Sequence, residues 1–245
     1  MITGRVRGGF NQYGFTVGIL MLDTRFPRIP GEMGNATTFP FPVRYHRVTG
    51  ASPDLVVRKG AEGLLAAFVD GARALEREGV GAITTNCGFL VKYQREMAAS
   101  VSVPVFASSL LLVPLVHRML APGRRVGLMT VNASSLGPEH LAGAGIPADL
   151  PLAIAGMEGE KEFTRVMLND ELEMDVDLAR EEHVRVARRL VADHPDIGAI
   201  VLECTNMPPY TADIQRETAR PVFDITTLVR MAHDALVAAG GPRPA

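Results

Sequence analysis

The sequence predicts an α/β protein of two pseudo-symmetric, doubly wound parallel-sheet domains that face each other across a cleft. Three observations lead there. The 245 residues suffice for two linked cores of roughly a hundred residues each. Short β-branched runs alternate with longer segments of helical period, the pattern of βαβ units with right-handed crossovers. The chain also repeats itself: "GAITTNC" (81–87) and "GAIVLEC" (198–204) share Gly-Ala-Ile and end in the only two cysteines, 117 residues apart. "PVF" recurs at that same offset, at 104–106 and 221–223, so the repeat spans a strand-helix-strand unit.

In the first half, strands are expected at 17–22, 43–48, 81–85 and 104–107. Between the second and third, Ala61, Leu64, Leu65, Phe68, Ala72 and Leu75 share one helical face, and Gly79 stops the helix. The apolar run 105–116 is short and contains Pro114, so it reads as a strand end feeding a helix. In the second half, strands are expected at 126–130, 150–155, 199–202 and 221–223; "VGLMTV" from Val126 echoes "VGILML" from Val17 at a different offset, as loops of unequal length allow. A helix over 175–192 opens on acidic and closes on basic residues, as the macrodipole prefers. The expected domains are 14–121 together with a C-terminal helix over 226–245, and 122–225, with the terminal "GGPRPA" frayed.

In open parallel sheets, ligands bind outside the carboxyl ends of the strands, which is where both cysteines fall. Pseudo-twofold symmetry then puts Cys87 and Cys204 on opposite walls of one cleft. Helix-opening residues follow each; after Cys204, Thr205 and Asn206 suit a cap and Pro208 and Pro209 a first turn. A helix N-terminus lowers a thiol pKa from about 8.5 toward neutrality, and its free N–H groups can hold a carboxylate. One acid and one base on opposite faces of a carbon is the arrangement that inverts a stereocentre. Asn86 and Gly88 beside Cys87, and Thr205 and Asn206 beside Cys204, are the expected substrate contacts.

Asp23 and Thr24 end the first strand, where they suit turn chemistry, and Thr130, Asn132 and Ser134 end its echo, where their hydroxyl and amide groups are candidate donors to a substrate; Ser134 or Ser135 also suits a helix cap. The Pro-rich, aperiodic segment 25–42 reads as a lid, with Asn35 and Thr37 as contacts. Strand alternation points Glu203 away from the thiol, toward a loop or a neighbouring subunit. The six histidines lack ligand spacing, and His183 falls on the apolar side of its helix. "NDELEMDVD" is a solvated helix start, and no metal site is expected. Gly8-Gly9 and Gly240-Gly241 join no strand to a helix, so neither a dinucleotide fingerprint nor a phosphate loop is present, and no cofactor is expected.

Composition narrows the partners. The net charge is −2, with 25 basic and 27 acidic residues and no basic block, which argues against nucleic acid. No apolar run is long enough to span a bilayer and the N-terminal segment lacks a signal-peptide core, so a cytoplasmic protein with reduced thiols and no membrane partner is expected.

The paired motifs "TTNCGFL" and "LECTNMPPY", on a duplicated α/β plan, resemble the aspartate/glutamate racemase superfamily, which includes hydantoin racemases, maleate isomerases and arylmalonate decarboxylases. The resemblance covers roughly 17–239. It implies cofactor-independent chemistry on a small carboxylate, Cys87 and Cys204 as the acid/base pair, substrate-carboxylate contacts at Asp23 and Thr24 that Thr130, Asn132 and Ser134 mirror, and a homodimer or higher homo-oligomer. The Cys-Thr step of "ECTN" matches the second catalytic motif of the amino-acid racemases. Those enzymes commonly read Cys-Asn-Thr at the first site and Gly-Cys-Thr at the second; here Gly88-Phe89 follows Cys87 and Glu203 precedes Cys204, so the resemblance does not extend to aspartate or glutamate specificity. Decarboxylase relatives generally keep only the second cysteine, and the presence of Cys87 argues against that branch. Racemisation or epimerisation of an amino acid or hydantoin is the first reading. A cis-trans isomerase or decarboxylase-type relative with a covalent cysteine step is the alternative, followed by a non-catalytic small-carboxylate binding module; a cysteine hydrolase lacks a recognisable histidine motif.

Overall fold

Two four-stranded sheets, each parallel throughout, divide the molecule. The computed structural model describes residue 5 and residues 8–238; "GGPRPA", Gly240-Gly241 and the last seven residues of the helix expected over 226–245 lie outside them. The first sheet holds β1 (Val17–Leu22), β2 (Val43–Val48), β3 (Ala82–Thr85) and β4 (Val105–Phe106) in the order β2-β1-β3-β4. The second holds β5 (Arg125–Thr130), β6 (Leu152–Gly156), β7 (Ile197–Leu202) and β8 (Val222–Phe223) in the order β6-β5-β7-β8. The identical order is the structural form of the repeat seen in the sequence. In each sheet the chain leaves the first strand in one direction and returns on its other side, which creates a switch point at the carboxyl ends of β1 and β3, and of β5 and β7.

The central strands are apolar because both faces are covered: Val17, Ile19 and Leu20 of β1 and Ile200, Val201 and Leu202 of β7 are fully buried. The crossovers use α1 (Leu65–Arg77) and α2 (Gln94–Ala99) in the first half and α5 (Glu162–Asn169), α6 (Val176–Asp193) and α7 (Thr211–Thr218) in the second. α4 (Pro138–Gly143) lies in the crossover from β5 to β6, and the remaining α-helices are α3 (Leu112–Met119) and α8 (Ile225–Ala238). α1 buries Phe68, Ala72 and Leu75 as its periodicity predicts, but it starts at Leu65, because Ala61 is in the left-handed region (φ 58°). α6 is capped by the Asp175 carboxylate, which accepts from the amides of Asp177 and Leu178, both at 3.0 Å. Its last turn carries no basic residue, contrary to expectation; the helix runs on to Asp193 and leaves Arg188 and Arg189 in its interior.

α8 returns to the first half: Thr16 Oγ1 lies 2.7 Å from His233 Nδ1, and the imidazole stacks on Phe41. The segment 25–42 forms neither helix nor strand, yet it is internally tied. The Tyr45 hydroxyl donates to Met33 O (3.0 Å), Asn35 Nδ2 donates to Arg28 O (2.8 Å), Arg28 pairs with Glu32, and Met33 and Phe39 are buried. The amide of Phe26 donates to Asp170 in the second half (3.1 Å). Among the described residues, no helix is long and apolar enough to cross a membrane.

Candidate active site

At each switch point the ladder runs one residue past the strand. Asn86 N donates to Leu20 O (2.9 Å) and Glu203 N donates to Met129 O (2.8 Å). Those two residues occupy equivalent places in the repeat, each immediately before its cysteine. Both side chains then turn back onto the first strand of their own sheet or just beyond it: Asn86 Oδ1 accepts from Leu22 N (2.7 Å) and Glu203 Oε2 accepts from Thr130 Oγ1 (2.7 Å). The chain next delivers Cys87 and Cys204 into a single cavity of about 380 Å³, mouth included, whose walls come from both halves.

The two motifs interlock. The Thr205 hydroxyl donates to the carbonyl of Asn86, and Ser109 Oγ donates to Leu202 O (2.6 Å), so each half grips a strand end of the other. At the position equivalent to Thr205 the first half has Gly88, and a Cβ there would meet the carbonyl oxygen of Glu203 at 2.5 Å. Only glycine permits that approach. Each thiol faces backbone and amide donors: Cys87 that of Phe89, and Cys204 those of Asn206, whose Nδ2 lies 3.7 Å from Sγ.

Both thiols are nevertheless pushed well above the usual cysteine range, first by burial and then by the nearby Glu203 carboxyl. The expectation of near-neutral thiols is thereby corrected. The helical turns that follow are short 3₁₀ segments, Gly88–Tyr93 and Pro208–Tyr210, the second beginning four residues beyond Cys204, and their few N–H groups do not outweigh desolvation. Burial also raises Glu203 to about 7.

A family model described as Asp/Glu/Hydantoin racemase matches residues 61–232, most of the chain and both cysteine motifs. The chain belongs to the Asp/Glu/hydantoin racemase family. It is 32% identical over 215 residues to a dimethylsulfoniopropionate lyase of Durusdinium sp. clade D, with 85% of this chain and 71% of that protein covered. It is also 32% identical over 222 residues to dimethylsulfoniopropionate lyase 6 of Emiliania huxleyi (strain CCMP1516); 86% of this chain is covered, but the chain spans only 57% of that protein. Allantoin racemase from Klebsiella pneumoniae shares the fold at a TM-score of 0.61 and 19% identity, with 94% of this chain and 91% of that one covered.

In this racemase-family chain, six of the residues expected from the sequence to form the site line the common cavity: Asn86, Cys87, Gly88, Cys204, Thr205 and Asn206. The others lie outside its lining, each with its own partner. Asp23 accepts from Gly50 N (3.1 Å), and Thr24 Oγ1 accepts from Arg28 (2.6 Å). Asn132 caps the turn at 133–135 and accepts from Ser134 Oγ (2.6 Å). Thr130 stands behind Glu203. Thr205 does not cap a helix, since its hydroxyl is engaged across the domain boundary and Met207 takes the cap position. Of the segment 25–42, Phe26 reaches the cavity wall, whereas Asn35 and Thr37 bond within the segment.

Glu203 is the residue that the sequence reading misplaced. β7 ends at Leu202 and only the Glu203 amide continues the ladder, so strand alternation no longer fixes its fully buried side chain, and the residue lines the cavity with both thiols. The rest of the wall is apolar, formed by Leu22, Phe26, Val57, Phe89, Val131 and Met167 among others, and among the described residues no Lys, Arg or His lines it. Among the described residues, no group of three or more His, Cys, Asp or Glu side chains is arranged to hold a metal ion. His183 lies on the buried face of α6, stacked on Tyr210 and edge-on to Phe163.

Proposed function

We propose that the chain is a cofactor-independent carbon-acid enzyme, in which a thiolate of the Cys87/Cys204 pair removes the proton α to the carboxylate of a small substrate. The observation that carries this reading is the delivery of the two thiols, from equivalent strand ends, into one buried cavity. The substrate carboxylate is held by N–H donors of the two motifs, which also stabilise the enolate-like charge that develops when the proton leaves.

The outcome of proton removal depends on what sits at the β carbon, and we read the chain as a β-eliminating lyase. With a dimethylsulfonio group there, the carbanion's electron pair forms the Cα–Cβ double bond and the C–S bond breaks toward sulfur. Neutral dimethyl sulfide departs and acrylate remains. Two observations support that substrate. The relatives at 32% identity carry the name dimethylsulfoniopropionate lyase. The apolar wall with Phe26 and Phe89 also suits a sulfonium, which has no hydrogen to donate and is attracted to aromatic faces, better than an α-ammonium with a second carboxylate, which needs polar partners.

Racemisation is the second reading, favoured by the presence of a thiol on each wall, since inversion needs an acid opposite the base. Incubation in deuterium oxide with dimethylsulfoniopropionate, and separately with amino acids and hydantoins, separates the two by proton NMR. The lyase reading expects acrylate from the first. Loss of the Cα–H signal from an amino acid or hydantoin, without any olefinic product from the sulfonium compound, would replace it with racemisation.

A further inference from the structure

Glu203 is unlike its counterpart in the repeat. The first half places a neutral amide, Asn86, before its cysteine; the second places a carboxyl at the equivalent point. That carboxyl is fully buried, its Oε2 accepts from Thr130 Oγ1 at 2.7 Å, and its Oε1 has no hydrogen-bond partner among the described residues. Its surroundings contain few charges. From the end of β3 comes Cys87, from the end of β7 Cys204, from β5 the Thr130 hydroxyl, and from the turn after Cys87 the backbone of Gly88. Among the described residues, Cys87, Cys204 and Glu203 are the only ionisable groups in the cavity wall.

We propose that Glu203 is a positioning residue that shares a single negative charge with the two thiols, so that the proton a thiol must lose goes to the Glu203 carboxylate and not to water. This deepens the carbon-acid reading above and rests on the thiol pair being the reactive group. The step balances within the site. A cysteine S–H bond breaks, an O–H bond forms on Glu203 Oε1, and the charge moves from carboxylate to sulfur with no net change. The device answers a difficulty that the thiols pose by themselves: buried and held high, they would otherwise have to ionise directly against solvent. It also gives the unpartnered Oε1 a use.

Charge sharing has a signature that a purely structural carboxylate lacks. Below the ionisation of Glu203, near pH 7, the thiolate fraction climbs about tenfold per pH unit. Above it the site already holds its one charge, and the fraction divided between oxygen and sulfur stops depending on pH. The wild-type alkylation rate of Cys87 and Cys204 by iodoacetamide, followed by mass spectrometry, is therefore expected to level off above about pH 7. In Glu203→Gln, which keeps an acceptor for Thr130, the rate should go on rising. With both profiles normalised at pH 7, where wild type stands at about half its plateau, the variant should exceed wild type by about 50-fold at pH 9. Thr130→Val gives an independent check: losing the hydroxyl that favours the carboxylate should move the levelling point to higher pH.

A wild-type rate that keeps rising tenfold per unit to pH 9, or a Glu203→Gln profile that superimposes on wild type, would overturn the proposal. If Glu203→Gln does not fold, an unmoved levelling point in Thr130→Val does the same. Because these rates read the thiols alone, levelling without turnover of any carbon acid would keep the charge sharing and remove the proposed function.

Discussion

At Gly88 the two halves meet beside Cys87, and Gly88→Ala probes that contact with one methyl. The added Cβ would sit 2.5 Å from the carbonyl oxygen of Glu203 and 2.8 Å from its carboxyl carbon. Ordinary contact is about 3.5–4.0 Å, so about 1 Å of separation has to be created between the end of β7 and the turn after Cys87. The carboxyl obstructs too and can turn aside, but the carbonyl is backbone, pinned by the amide of Glu203 on Met129 O and by Ser109 on Leu202 O, so it cannot swing aside as a side-chain tip would. Overpacking of this kind costs about 1–3 kcal/mol. For a chain of this length, about 2 kcal/mol corresponds to a fall in Tm of about 4–8 °C. Turnover should fall further than stability does, because the same displacement spreads Cys87 from Cys204. Gly159→Ala is the matched control: nothing lies within 4 Å of its Cβ, so a change within about 0.5 kcal/mol is expected. Calorimetry on both variants, with turnover on the same samples, decides the matter. Equal Tm values for Gly88→Ala and Gly159→Ala would refute the interlocking described for this site.

Other perturbations test the surrounding parts. Asn86→Ala leaves the buried amide of Leu22 without its acceptor, at a cost of about 1–3 kcal/mol, readable as a loss of denaturation midpoint at unchanged m-value. His183 is held down to about 4 by burial, against about 6.5 when unfolded, so the unfolded chain takes up the proton first. Its contribution is complete above pH 6.5 and is lost as the pH falls from there toward 4, about 3 kcal/mol in all. Urea titrations from pH 7 to 4 should show that slope in wild type and a flatter one in His183→Phe; parallel slopes would mean that another group governs acid unfolding.

Much of this molecule was legible because duplication amplifies weak signals. A lone "AITT" or "AIVL" is a short apolar run, but their recurrence 117 residues apart, each ending in cysteine, located β3, β7 and the walls of the cavity together. Strand ends were less visible. β4 and β8 are only two residues long, and α1 starts late because Ala61 takes a left-handed conformation that its composition does not announce. The site was legible where position along the strand decided it and illegible where burial did. Asp23 and Thr24 end a strand as expected, yet their oxygens are turned to Gly50 and Arg28. The thiol environment depended on how completely the two halves close over it, a property of tertiary packing that outweighs the short helical turns. Glu203 escaped for a geometric reason: alternation holds only inside a strand, and this residue lies one step past the end of β7.

The measurement closest to the central claim is the rate of Cα–H exchange and product formation in deuterium oxide for wild type, Cys87→Ser and Cys204→Ser, each checked for an intact thermal transition. With the thiols as the proton carriers at one shared cavity, at least one variant should lose about 10²–10⁴-fold in turnover, and inversion chemistry requires that loss in both. Folded variants that both retain the wild-type rate would contradict the account.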